Sequence, residues 1–280
     1  MSTVTSKDGT KIAYTRIGSG DPLLLVDGAS CYRELGPMKK LANELKGSFT
    51  VYFYDRRGRG ESGNTLPYSP EREIEDIEAL MAELGSGVIM FGISSGAALA
   101  LDAANRISGI AKLVLYEAPF IVDDTRTPVP ESFIPEMNEV LAAGRRGAAQ
   151  KMFLKLVGMP SLMVHLMPIV PGWTKMKGVA HTLPYDLQIV SENQRGKPIT
   201  AERWSSVNVP TLVGIGGKSP EWMKNANMEL ARCLPKAEVR ILPGQTHMVS
   251  EKALAPIIRE FSQANHEAET ETADRSATGR

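Results

Sequence analysis

The residues best placed to do chemistry are Gly92-Ile93-Ser94-Ser95-Gly96. They follow a short apolar run, residues 88–91, and lead into Ala97-Ala98-Leu99-Ala100. A serine on a tight turn between a buried strand and a helix is lifted clear of the backbone as a nucleophile. Glycines two residues to either side let the strand and the helix approach. The helix start also supplies backbone N–H groups and a positive dipole end beside the developing oxyanion. G-x-S-x-G alone is a weak pattern, and the flanking strand and small-residue helix supply the context it needs. The bland alternative is an ordinary strand–helix turn with Ser94 as N-cap. No metal-ligand spacing appears. Gly214-Ile215-Gly216-Gly217 follows a strand but lacks the rest of a dinucleotide fingerprint, so neither a metal nor a cofactor is expected.

The elements that must hold this turn read as alternating strands and helices. Residues 11–17, 23–26, 50–54, 88–91, 112–115, 211–215 and 238–242 read as strands. Residues 37–46, 95–107, Glu221–Cys233 and Glu251–Gln263 read as helices. Ser69-Pro70-Glu71 is a helix start: N-cap serine, proline at the first helical position, acid in the first turn. The core stripe behind it is Ile74, Ile77, Leu80, Met81 and Leu84. Such alternation predicts an α/β fold with a mostly parallel sheet and helices on both faces. It stops from about residue 123 to 200. A block of roughly 75 residues is too long for a loop and should carry its own helical structure. The expected organisation is a core of 1–122 and 201–264, a helical cap insertion at 123–200, and a disordered tail at 265–280 whose only apolar residues are alanines.

Composition narrows the class. The chain has 280 residues and balanced charge, 32 Lys+Arg against 32 Asp+Glu, which argues against nucleic acid as the main partner. Two cysteines, Cys31 and Cys233, cannot build a disulfide scaffold. There is no signal-peptide h-region and no apolar stretch long enough to span a bilayer, so a cytoplasmic protein without a membrane partner is expected. A small-molecule substrate is the expected partner, and self-association is left open.

With these residues in view, the chain resembles the α/β-hydrolase family from about residue 10 to residue 263. Residues 23–28 (LLLVDG), 54–63 (YDRRGRGESG), the elbow GISSG, the cap-like insertion and residues 244–249 (GQTHMV) carry the resemblance. It implies that Asp55 and the basic Arg56, Arg57 and Arg59 brace the loop beneath the site rather than bind phosphate. It implies that His247 is the base that deprotonates Ser94. The oxyanion donors would be the backbone N–H groups of Ala29 and Ser95. His165 and His181, in the insertion, read as hydrogen-bonded or solvent-facing residues, with substrate contact as the sharper alternative.

The chain departs from the family pattern in two places. The usual acid position after the strand at 211–215 is Ser219, which reads as an N-cap before Pro220-Glu221. A second family location is the end of the strand after the elbow helix, where Glu117 stands. A glutamate closing a buried strand is costly without a partner, and a triad histidine would be one. Glu117 is therefore preferred as the acid over Asp123, Asp124 and Glu221. The family's His-Gly oxyanion pair is replaced by Asp27-Gly28, where Asp27 is expected to brace the turn and Cys31 to be a small buried hydrophobe.

Six of the 13 methionines fall at 137–176. Met is flexible and suits adaptable apolar surfaces. Met152, Met163, Met167 and Trp173 are thus expected to contact a lipophilic substrate, unless these residues simply pack the cap. The leading function is a serine hydrolase of an ester, thioester or lactone through a Ser-His-acid triad and an acyl-enzyme. Dehalogenase and epoxide-hydrolase chemistry would need aspartate at residue 94. C–C bond hydrolysis and perhydrolysis, which use the same triad, stay open. So does a non-hydrolytic small-molecule binder, lyase or cyclase on the same fold.

Overall fold

Continuous apolar runs make strands that are buried on both faces, as in a parallel sheet covered by helices. In the computed structural model, which describes residues 2–264, this is the fate of β3 (Asp21–Val26), β4 (Phe49–Tyr54), β5 (Val88–Ile93), β6 (Ile110–Tyr116) and β7 (Thr211–Gly216). With β1 (Ser2–Thr5), β2 (Lys11–Gly18) and β8 (Ala237–Leu242) they form one sheet in the order β1-β2-β4-β3-β5-β6-β7-β8. The two pairings that involve β2 are antiparallel, and the others are parallel. β1 was not legible in the sequence. Its four residues are largely exposed and carry no apolar run.

The helices α1 (Met38–Leu45), α2 (Pro70–Leu84), α3 (Ser95–Ala104), α9 (Glu221–Cys233) and α10 (Glu251–Gln263) cover the sheet. One apolar cluster joins α2, α3 and α9 to one face, including Ile74, Ile77, Leu80, Leu99 and Leu230. A second joins α1 and α10 to the other, including Leu41, Leu45, Leu254 and Ile258.

Between β6 and β7 lie α4 (Phe133–Ala142), α5 (Arg146–Leu156), α6 (Ser161–Leu166), α7 (Trp173–Gly178) and α8 (Leu183–Val190), with short 3-10 turns. This cap has two small apolar clusters of its own. Ile189 and Val190, at the end of α8, pack into the main core. Trp204 also belongs to that core: it stacks on Phe120 at 5.7 Å and donates from Nε1 to Asp102 at 2.8 Å. The expected tail, 265–280, lies outside the described residues. Among the described residues no helix is long and apolar enough to cross a membrane.

Candidate active site

The elbow is built by close backbone approach. A Cβ on Gly92 would lie 2.4 Å from the Gly96 carbonyl oxygen, and one on Gly96 would lie 2.5 Å from the carbonyl oxygens of Val26 and Asp27. Only glycine permits β5, α3 and the turn after β3 to meet here. Ser94, between them, is held at φ 57°, ψ −129°, a conformation costing about 1–3 kcal/mol for a non-glycine residue. Its backbone N–H donates to the Tyr116 carbonyl at 3.0 Å. The side chain stands at the N-cap position of α3 and makes no capping hydrogen bond.

Glu117 closes β6 one residue further on, fully buried and with φ 49°. Its two oxygens are divided. Oε1 accepts from the Gly216 backbone N–H at 2.7 Å, and Oε2 lies 2.9 Å from His247 Nδ1. Asn227, on α9, clamps the following turn: it donates to the Ala118 carbonyl at 3.1 Å and accepts from the Ala118 N–H at 3.0 Å. The other acids weighed from sequence sit elsewhere. Asp123 accepts from Asn225 and from Thr125, and Glu221 is exposed in the first turn of α9.

His247 lies in the loop after β8, its side chain 36% exposed. Tyr116 Oη donates to the Thr246 carbonyl at 2.7 Å, and Lys218 N–H donates to the Gln245 carbonyl at 2.8 Å. Burial first, and then the charge of Glu117, push the Tyr116 phenol up, so it remains a donor. The carboxylate engages Nδ1 and not Nε2 of the His247 ring.

Ser219 is not the side-chain N-cap that the sequence suggested. Pro220 occupies the cap position, and Ser219 Oγ is buried without a partner. The cause is the tight end of β7, where a Cβ on Gly216 would lie 2.6 Å from that oxygen. The backbone N–H of the same Gly216 donates to Glu117, so this turn supports that carboxylate.

The turn after β3 overlies the nucleophile, for a Cβ on Gly28 would lie 3.2 Å from Ser94 Cβ. Asp27 braces it, with Oδ1 accepting from the Gly28 N–H at 2.8 Å. Asp27 Oδ2 is buried without a hydrogen-bond partner in the geometry. Burial raises the carboxyl to about 7, against the opposing pull of the Gly28 N–H, Arg59 and Arg56. Burial and then Asp27 hold the Cys31 thiol well above its usual value, so it is no thiolate nucleophile. Ser95 N–H is at the first position of α3, where no intrahelical acceptor exists, and is thereby available with that of Ala29.

The arginine loop is structural. Asp55 accepts from Arg33 N–H at 2.7 Å and Glu61 N–H at 2.9 Å. Arg56 pairs with Glu73 and Asp186, Arg57 with Asp76 and Asp8, and Arg59 with Asp186. These guanidinium groups are buried and engaged, which leaves no open phosphate site.

The cap residues expected at the substrate have other surroundings. Trp173 is buried with Leu154 and Val164 in a cap cluster, and Met167 packs against it. Met152 packs against a second cap cluster around Leu183 and Leu187. Met163 is 54% exposed. Packing of the cap accounts for most of the methionine excess. His165 is exposed, with Nδ1 2.6 Å from the Ser161 carbonyl, and burial lowers the His181 pKa. Among the described residues no group of three or more His, Cys, Asp or Glu side chains could hold a metal.

The chain belongs to the alpha/beta hydrolase family, whose sequence profile matches residues 18–260. The structure of an alpha/beta hydrolase from Sphaerobacter thermophilus is 45% identical, with a TM-score of 0.86, covering 93% of this chain and 99% of that one. A thermophilic esterase from Thermogutta terrifontis shares the fold at 20% identity and a TM-score of 0.63, covering 96% of this chain and 98% of that one. The uncharacterized hydrolase YraK of Bacillus subtilis is 35% identical over 118 residues, which is 41% of this chain and only 43% of that relative's length.

Proposed function

We propose that the protein is a serine hydrolase of small carboxylic esters, with thioesters and lactones as chemically equivalent substrates. The observation that carries this reading is the 2.9 Å contact of His247 Nδ1 with Glu117 Oε2, on a carboxylate fixed at the strand end whose carbonyl holds the Ser94 N–H. His247 takes the Ser94 proton as Oγ attacks the ester carbonyl. The oxyanion is met by the N–H groups of Ala29 and Ser95. The tetrahedral intermediate expels the alcohol, which takes the proton from His247, and leaves an acyl-Ser94 ester. Water then gives a proton to His247 and attacks that ester, releasing the acid and restoring the serine. Glu117 stabilises the imidazolium and keeps the ring in the productive orientation.

The cap closes over this machinery and is the part that would select the acyl group. A lipophilic acyl chain is the preferred substrate in this reading, though it rests less on Met163 and Trp173 than the sequence implied. The test is hydrolysis of p-nitrophenyl esters from acetate to octanoate. The expected result is turnover that Ser94→Ala and His247→Ala each reduce to background, with an optimum beyond acetate. Turnover that survives Ser94→Ala would overturn the mechanism. A strict acetate preference would overturn the lipophilic substrate alone.

A further inference from the structure

Asp186 is a cap residue on α8, yet its side chain ends beneath the catalytic turn, 2% exposed. Its Oδ1 accepts from Ser95 Oγ at 2.7 Å and from Arg56 Nη1 at 2.7 Å. Its Oδ2 accepts from Arg59 Nη2 at 2.6 Å. Arg59 Nη1 in turn donates to the carbonyls of Gly28 at 2.8 Å and Cys31 at 3.2 Å, and Arg56 Nη1 to that of Asp27 at 3.2 Å. A second cap side chain, the fully buried Gln150 of α5, lies 3.3 Å from Ser30 Oγ.

Peptide planarity gives these contacts a direction. The Gly28 carbonyl and the Ala29 N–H belong to one trans peptide and point opposite ways. Fixing that carbonyl on Arg59 therefore aims the Ala29 N–H away from the arginine. On the elbow side, the same carboxylate holds the Ser95 hydroxyl, one residue from the nucleophile. We propose that Asp186 is a positioning residue that holds the two segments of the oxyanion hole in register from α8. This inference rests on the serine-hydrolase reading above. One carboxylate braces both segments, the elbow through the Ser95 hydroxyl and the turn bearing the Ala29 N–H through Arg59. Without that carboxylate both arginines lose an acceptor and the turn at 27–31 loses its fixed register.

The test compares wild type, Asp186→Asn, Ser95→Ala and Glu73→Gln. Glu73→Gln perturbs the same buried charge cluster through Arg56 but leaves the contacts to Ser95 and Gly28 in place. Two readouts are taken: kcat and KM on p-nitrophenyl butyrate, and the Ki of a trifluoromethyl ketone, whose hemiketal oxygen occupies the oxyanion position. Removing an oxyanion donor outright costs about 10²–10³ in kcat, so misaiming the donors should cost about 10–100-fold. The expected result is that loss for Asp186→Asn, a matching weakening of the ketone, and a KM within about threefold of wild type. Ser95→Ala should fall several-fold in both readouts. Glu73→Gln should lower the Tm while keeping kcat within about threefold. Unchanged kcat and ketone affinity in a folded Asp186→Asn overturns the inference, as does an equal loss in Glu73→Gln. Should Asp186→Asn not fold, Ser95→Ala decides by the same two readouts. A wild type that a fluorophosphonate modifies at Ser94, beside an unimpaired Asp186→Asn, sinks this inference and leaves the serine-hydrolase reading standing.

Discussion

Two buried carboxylates beside Ser94, Glu117 and Asp27, can each be tested alone. Glu117 is buried and divides its oxygens between the Gly216 N–H and His247. Glu117→Gln keeps the shape but loses the charge that, in the proposed mechanism, stabilises the imidazolium. It should lower kcat by about 10²–10⁴ with little change in KM, read by steady-state kinetics on a p-nitrophenyl ester. Full activity in that variant would move the acid elsewhere. Asp27 is tested through stability. Its carboxyl is raised to about 7 in the folded protein, chiefly by burial, so the folded state holds the proton more tightly than the unfolded chain does. The stabilisation is complete below the ordinary carboxylate value near 4 and is lost as pH rises through about 7. Asp27→Asn should flatten the decline of unfolding free energy over that window by a few kcal/mol, measured by urea denaturation at several pH values. Asp76, raised to about 6 by burial despite Arg57, adds a decline of its own that the variant keeps. An unchanged slope would show that Asp27 does not titrate there.

At the scale of elements, the site depends on three backbone segments meeting at glycines. Gly96→Ala places a methyl group 2.5 Å from two backbone carbonyl oxygens of the turn after β3, and backbone cannot step aside as a side-chain end can. It should cost at least about 2–3 kcal/mol in unfolding free energy and separate the oxyanion turn from Ser94, lowering kcat. Denaturation and kinetics on the same preparation check both effects. Much of this was legible in the chain. The elbow glycines and the apolar runs of β3 to β7 are local patterns, and each of them has a local physical cause. The contacts of Asp186 with Ser95, of Gln150 with Ser30 and of Asn227 with Ala118 were not legible. Each joins residues about a hundred positions apart, and a lone Asp, Gln or Asn in a helix carries no signal of its distant partner. Ser219 misled for a related reason. Its local sequence matches a helix cap, while the close packing of Gly216 buried its hydroxyl instead.

At the scale of the molecule, the sheet supplies a fixed platform, and in the proposed function the cap supplies choice. Ser94, Glu117 and His247 come from the ends of β5 and β6 and from the loop after β8, all at one end of the sheet. Buried arginine–carboxylate pairs lock the loop under this platform, and two of them reach into α8 of the cap. The methionines that mark the cap in the sequence mostly pack its own clusters. Met152→Ala, which removes packing from one of these clusters, should therefore lower the Tm while sparing the labelling of Ser94. The most direct measurement is intact-mass and peptide mapping after a fluorophosphonate is added to the native enzyme, to Ser94→Ala and to His247→Ala. One adduct per chain, mapped to Ser94, absent from Ser94→Ala and slowed at least a hundredfold in His247→Ala, is the expected result. An adduct that persists in Ser94→Ala, or no adduct on a folded enzyme that turns over esters, would contradict the assignment of Ser94 as the nucleophile.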